Sequence, residues 1–237
     1  MPEDIIQNLE SNLLLEYNKP EIRQHFNKDE LATLERESEI QHITKGTIII
    51  KEGSKPNGIF CVTKGTAKLY KLGFNGKEQI LRFAKSGDII GYRSILCNEP
   101  FGASAAAMED MEMSFIPEHH FHKLLEISPK LAFDMLKRIS KELGEAGRTI
   151  TILAQKTVRE RLAEILLLLE KKLGTDKEGF INISLTREEM ANLIGTATES
   201  AIRLISEFKQ DEYIEVEGRK IKILNHQKLT KLGHVNF

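Results

Sequence analysis

Glu199 and Arg203 stand four residues apart in a stretch of helical pattern, with Thr198 before the first and Ser200 after it. Residues at that spacing share one face of a helix. A guanidinium can bridge O6 and N7 of guanine and a carboxylate can accept from N4 of cytosine, each good contact discriminating by roughly 1–3 kcal/mol. The pair suits the edge of a G·C-containing site, with Thr198 and Ser200 alongside. Plainer readings exist: Glu199 could complete a capping box begun at Thr196, and Arg203 could pair with Glu199. Nearby, Thr186, Arg187, Thr196, Lys209, Arg219, Lys220 and Lys222 offer donors for phosphate oxygens, or are ordinary surface side chains.

The elements that must hold these residues are legible from their punctuation. Thr157-Val-Arg-Glu160, Thr186-Arg-Glu-Glu189 and Thr196-Ala-Thr-Glu199 all have the Thr-x-x-Glu form that opens a helix. Between the last two, Met190 to Gly195 predicts a short helix ending on glycine, with a second helix starting within two residues. This is a helix-turn-helix pattern, in which Ala191 lets the helices cross, Gly195 allows the left-handed turn, and Ala201 and Leu204 face inward. On these residues alone an ordinary helical hairpin stays open. The alternating runs Tyr213-Ile-Glu-Val and Arg219-Lys-Ile-Lys-Ile, joined through Glu217-Gly218, add a hairpin and so predict a winged helix.

Upstream, glycines at 46, 53, 58, 65, 73, 76, 87, 91 and 102 separate short apolar runs between Ile40 and Ile116. That spacing predicts an all-β barrel or sandwich, preceded by helices over Ile5 to Leu15 and Glu30 to Glu37. From Ser128-Pro129 the pattern changes, with Ser as N-cap and Pro as first helical residue. Ala132, Leu136, Ile139, Leu143, Ala146, Ile150 and Leu153 then alternate in steps of four and three, the stripe of one strand of a coiled coil. We expect a homodimer through this helix. The other reading packs the stripe on the chain's own β-domain, and Gly144 and Gly147 each weaken the helix by roughly 1 kcal/mol. The expected fold class is α+β, with an N-terminal double-stranded, jelly-roll-like β-roll over 1–127. A dimerisation helix and hinge follow over 128–156, and a winged helix-turn-helix over 157–237.

Composition narrows the function classes. The chain has 237 residues, a net charge of −1 and 41% hydrophobic residues, which describes a folded chain with room for one large or two small domains. Neither half is a polycation, so any grip on nucleic acid must come from a local patch. No apolar run approaches a membrane span, and the acidic start lacks the basic character of a signal peptide. With only two cysteines, Cys61 and Cys97, a reducing cytoplasm is the simplest location. No nucleophile–base set, phosphate-cradling glycine loop or metal triad marks an enzyme.

The order β-roll, long helix, winged helix resembles the Crp/Fnr family of bacterial transcription regulators. The motifs Lys45-Gly-Thr-Ile-Ile-Ile-Lys-Glu-Gly53, Ser86-Gly-Asp-Ile-Ile-Gly91 and Thr186 to Arg203 carry the resemblance, over roughly residues 20 to 225. It implies a dimer that binds a palindromic operator, contacts RNA polymerase, and senses a small effector in the β-roll. In the family a Glu-x-x-x-Arg pair reads a TGA-type half-site, which Glu199 and Arg203 match. Thr198 stands where cyclic-AMP-responsive members often have arginine.

The expected effector pocket is built from Gly91, Tyr92, Arg93, Ser94, Phe101, Gly102, Ala103 and Ser104, and it departs from that resemblance. Cyclic-nucleotide members resemble one another in a Gly-Glu pair for the ribose and a Pro-Arg-x-Ala run for the phosphate; here the positions read Gly91-Tyr92 and Pro100-Phe101-Gly102-Ala103. On the long helix, Ala146 and Gly147 replace the purine-binding Thr and Ser. Cyclic AMP in the usual mode lacks its polar contacts, because a buried phosphate without a cation is costly, while Arg93 could serve another anion. The oxygen-sensing members resemble one another in N-terminal cysteines, whereas the first cysteine here is Cys61, and an iron–sulfur cluster within one chain lacks ligands. Haem would need an axial ligand such as His25, His42, Cys97, His119 or His122, none with a specific signature. His119-His120-x-His122 reads as side chains on two sides of a helix and not as a metal site. The effector is thus left unidentified. The competing function is a ligand-binding regulatory subunit that acts on a protein partner.

Overall fold

The computed structural model describes residues 19–235, so the helix expected over Ile5 to Leu15 lies outside the described residues. Two compact units emerge, one running up to Lys71 and joined by Leu81–Leu143, the other made of Leu72–Ile80 and the residues from Gly144 on.

The first unit opens with a short helix α1 (Pro20–Arg23) and α2 (Lys28–Glu37), the latter closed by a reciprocal Asn27–Glu30 capping box. Eight strands follow: β1 (Gln41–Ile43), β2 (Ile48–Ile50), β3 (Gly58–Lys64), β4 (Thr66–Leu72), β5 (Glu78–Lys85), β6 (Ile89–Ile90), β7 (Ser104–Ala107) and β8 (Met111–Pro117). They form two four-stranded sheets, β1-β8-β3-β6 and β2-β7-β4-β5, as the glycine spacing predicts. Pairing is antiparallel between β3 and β8, from Gly58 opposite Pro117 to Lys64 opposite Glu112, and between β4 and β7. The sheets close on Val62, Ala67, Ala84, Ile90, Ala105, Ala107, Met111 and Met113, where the alanines of β7 leave room for the larger residues. The second core, around Ile59, Cys61, Ile116, Phe121 and Leu124, takes in Ile22, Phe26 and Leu34 from the first helices.

Between β6 and β7 lies α3 (Tyr92–Cys97), and after β8 comes α4 (Glu118–Ile127). The adjacent histidines of α4 do point to two sides: His119 is exposed, and His120 is fully buried against Phe26, its ring nitrogens without hydrogen-bond partners among the described residues. Burial first, and His119 second, lower the His120 pKa.

Helix α5 spans Pro129–Gln155, with the Ser128 hydroxyl accepting from the Leu131 amide at 3.3 Å. Leu131, Met135 and Arg138, spaced four and three apart, are buried and form the face that packs on the first unit. The coiled-coil stripe is a different face. Leu136, Ile139, Leu143, Ile150 and Leu153 are exposed, as is Ala146.

In the second unit α6 (Val158–Leu173) starts at a complete Thr157–Glu160 capping box, as expected from sequence, and ends at Gly174. Helices α7 (Arg187–Ile194) and α8 (Thr198–Gln210), the hairpin β9 (Ile214–Glu217) and β10 (Lys220–Ile223), and α9 (His226–Leu232) follow. The buried Glu164 of α6 is compensated by the Lys156 ammonium at 2.5 Å, which also donates to the Gly233 carbonyl. The tip of the β4–β5 hairpin belongs to this unit because Lys77 donates to the Thr196 carbonyl and Gln79 Nε2 to the Leu193 carbonyl at 3.4 Å.

Candidate nucleic-acid interface

Helix α7 begins at a reciprocal box between Thr186 and Glu189, and ends at Gly195, whose φ of 67° is the left-handed conformation that glycine adopts without penalty. A Cβ at Gly195 would also stand 3.2 Å from Leu153 Cδ2. The third expected box does not form. The N-cap of α8 falls one residue later than expected, at Ala197, which has no side chain to cap with, while the Thr196 amide closes the preceding turn on the Ala191 carbonyl at 3.0 Å.

That correction bears on the reading residues. Glu199 is not spent on a cap, and its carboxylate has no partner among the described residues. Arg203 does not pair with Glu199; its Nε lies 3.8 Å from Glu207, and the side chain is 73% exposed. Glu207 is already held by Arg159 Nη1 at 2.6 Å. Ala201, Leu204, Ile205 and Phe208 are buried, so α8 lies on the unit by one face and presents Glu199, Ile202 and Arg203 on the other, with Thr198 and Ser200 half-buried beside them.

The phosphate candidates divide into committed and open groups. Arg187 Nη2 donates to the Gly218 carbonyl at 3.1 Å, tying the first helix to the tip of the wing. Thr186 is the α7 cap, and the Thr196 carbonyl accepts from Lys77. Lys220 binds Asp176 at 3.0 Å; that bond lowers the carboxyl pKa and raises the ammonium pKa. Lys222 lies 3.5 Å from Glu215. Lys209 and Arg219 are exposed, with side chains that have no partner among the described residues. In the wing, Glu217 pairs with Lys220, so Gly218 and Arg219 form the turn and Arg219 sits at its tip.

In the β-roll the expected pocket residues come together, and their polar side chains are engaged by neighbours outside the set. Gly91, at φ 95°, caps α3; a Cβ there would stand 3.0 Å from the Phe101 ring and 3.3 Å from the Gly58 carbonyl. Arg93 Nη1 binds Glu99 at 2.9 Å, and its Nη2 lies 2.5 Å from where a Cβ on Gly102 would be. Ser94 donates to the Pro100 carbonyl, and the Ser104 hydroxyl accepts from the Glu52 amide. Ala103 is half-buried beside them. Tyr92 is buried, its hydroxyl hydrogen-bonded to Glu142 of α5. The residues do not fit a cyclic nucleotide in the usual mode: a buried phenol stands for the ribose-binding carboxylate, and Phe101, at the place of the phosphate-binding arginine, offers no cation. They fit an iron–sulfur cluster no better. Cys61 is buried in β3, Cys97 is exposed on α3, and among the described residues no group of three or more His, Cys, Asp or Glu could hold a metal ion.

A two-layer β-roll, a long helix with an open apolar stripe, and a helix-turn-helix with a wing define a DNA-binding regulator of the kind that couples a cyclic-nucleotide-binding-like domain to a winged helix. Residues 40–128 match the cyclic nucleotide-binding domain family and residues 160–232 the Crp-like helix-turn-helix domain family. The chain is 30% identical over 216 residues to the fumarate and nitrate reduction regulatory protein of Vibrio cholerae, covering 89% of this chain and 85% of that protein. It is 31% identical to electron transport regulator A of Shewanella oneidensis, covering 84% and 79%. Among solved structures, FixK2 from Bradyrhizobium japonicum superposes with a TM-score of 0.75 at 23% identity, over 84% of this chain and 98% of that one. The protein belongs to the Crp/Fnr family of DNA-binding transcription regulators. Among the described residues no helix is long and apolar enough to cross a membrane.

Proposed function

We propose that this regulator acts as a cytoplasmic homodimer that binds a palindromic operator with TGA-type half-sites, one read by each α8. The observation that carries the reading is the pair Glu199 and Arg203: four apart, exposed on the outer face of the second helix, and not neutralised by each other. In this reading residues 1–127 form the sensor, 128–156 the dimer helix and hinge, and 157–237 the DNA-binding part. Leu136, Ile139, Leu143, Ala146, Ile150 and Leu153 meet their counterparts across a two-fold axis. Two recognition helices about 34 Å apart then enter successive major grooves. Arg219 and Lys209 are the cations left for phosphates, while Arg187 and Lys220 shape the wing. As in the family at large, RNA polymerase is the partner on DNA, and the protein performs no turnover of its own.

The effector, in this proposal, is not a cyclic nucleotide in the usual mode, since Tyr92 and Phe101 have replaced both polar contacts. The test is anisotropy titration of a labelled duplex carrying two inverted TGA-type half-sites against a scrambled duplex. Wild type should prefer the palindrome, and Arg203→Ala and Glu199→Ala should each weaken that preference about 10- to 100-fold. Binding and sequence preference that survive Arg203→Ala would sink the assignment of this face.

A further inference from the structure

Where the first helices meet α4, the fold closes over a titratable side chain. His120 is 0% exposed, and both Nδ1 and Nε2 are without a hydrogen-bond partner among the described residues. A neutral imidazole carries one donor and one acceptor, and burying them unpaired costs free energy that a leucine at the same place would not. Its neighbours are rings: Phe26 lies 5.9 Å away and His119 4.0 Å, centroid to centroid. Packing alone gives no reason for an ionisable group here.

The charges around it define what protonation does. Glu30 and Glu37 of α2 favour the imidazolium, and His119 opposes it. Glu30 is already committed: it accepts from Lys123 Nζ of α4 at 2.7 Å and from the Asn27 amide at 2.8 Å, and those bonds hold its pKa below the ordinary value. Arg23 of α1 is held by Glu35 of α2, and on α4 His122 lies 3.9 Å from Glu118. Strands β3 and β8 bring Ile59 and Ile116 to this core, while their charged residues Lys64 and Glu112 pair at the ends remote from α4. An imidazolium in place is thus a buried cation whose carboxylate neighbour is shared with Lys123, and it reaches water only when α1 and α2 move off α4.

We propose that His120 is an acid-sensitive latch: while neutral it lets α1 and α2 pack on α4, and its protonation at mildly acidic pH releases them. Burial, and then His119, hold its pKa below the ordinary value. The folded state therefore excludes a proton that the opened state takes up, and the packing of α1 and α2 loses stability as pH falls below about 6.5. The first unit thus answers acidification with no bound effector.

The test is hydrogen exchange of the full chain at about pH 7.5 and about pH 5.5, corrected for the intrinsic pH dependence of exchange. Between these values the opening constant of the α2 and α4 amides should rise about tenfold more in wild type than in His120→Leu, the factor for one proton taken up on opening. The variant keeps an apolar body of similar size and should be protected at least as well as wild type at the higher pH. A His120→Leu protein with the pH dependence of wild type overturns the latch. Histidine-labelled wild type gives an independent reading should the variant not fold. By NMR, the His120 ring should stay neutral at about pH 6, below the ordinary imidazole value, and protonate in the step in which α2 loses protection. A His120 ring that titrates near the ordinary value of about 6.5 while α2 stays protected overturns the latch as well.

Discussion

Arg138 Nη2 donates to Asp88 Oδ1 at 2.7 Å, joining helix α5 to the turn between β5 and β6. The guanidinium is 6% exposed, its Nε reaches Glu142 at 3.2 Å, and the Tyr92 ring lies 5.8 Å from it. Burial works against its charge, but Asp88 and then Glu142 outweigh it and raise the pKa above the ordinary value.

Because Arg138 Nη1 already lacks a partner among the described residues, removing Asp88 leaves a buried cation seriously under-compensated. Asp88→Ala should destabilise the first unit by about 3 kcal/mol, whereas Arg138→Met, which removes the charge and keeps the volume, should cost clearly less. Urea unfolding of both variants measures the difference. Equal losses would show that the pair matters through packing alone.

Tyr92 gives a second handle on the same cluster. Burial, and then the hydrogen bond to Glu142, raise its phenol pKa well above the ordinary value of 10.0. A phenol whose folded pKa is raised contributes stability that is fully present below about pH 10 and is lost as pH rises from there toward its folded value. Alkaline titration followed by tyrosinate absorbance should show one of the four tyrosines remaining neutral until the fold opens. Tyr92→Phe should abolish that late step. A late step retained in Tyr92→Phe would assign it elsewhere.

On the wing, Arg219 and Lys220 are adjacent but unequal, since Lys220 already holds Asp176 at 3.0 Å and Arg219 has no partner among the described residues. Arg219→Ala should reduce the slope of log K against log salt concentration for operator binding by about 1. Lys220→Ala should change the slope little. Equal changes would mean that DNA strips Lys220 from Asp176.

The open stripe of α5 makes the oligomeric state directly testable. Leu143 is 73% exposed on the single chain, so Leu143→Glu costs the isolated fold almost nothing but places two carboxylates across the proposed seam. Sedimentation velocity should show a dimer for wild type and a monomer for the variant, with unchanged circular dichroism and operator affinity reduced at least 10-fold. A dimeric Leu143→Glu protein would move the interface away from this stripe.

What the sequence disclosed was mostly local. The boxes at Thr157 and Thr186 formed because each needs only residues three apart, and Gly195 turns as its type demands. The box at Thr196 did not form because the next helix starts one residue later, with Ala197 as its N-cap, a shift the pattern did not display. The split of α5 into a buried face and an open stripe was half legible, since the heptad spacing marked the stripe but gave no sign of Arg138 on the other face. Asp88, Tyr92, Arg138 and Glu142 meet only through the tertiary fold, and no spacing rule connects them.

The stripe left open on α5 also sets how the protein responds to its own abundance. With the pairing proposed here, each chain brings a single reading helix, and the operator is matched only by two. While most chains are monomeric, paired chains rise with the square of total concentration, so doubling the protein quadruples the species that can occupy the site. A regulator whose β-roll residues hold one another in place can therefore be switched steeply by synthesis and degradation alone.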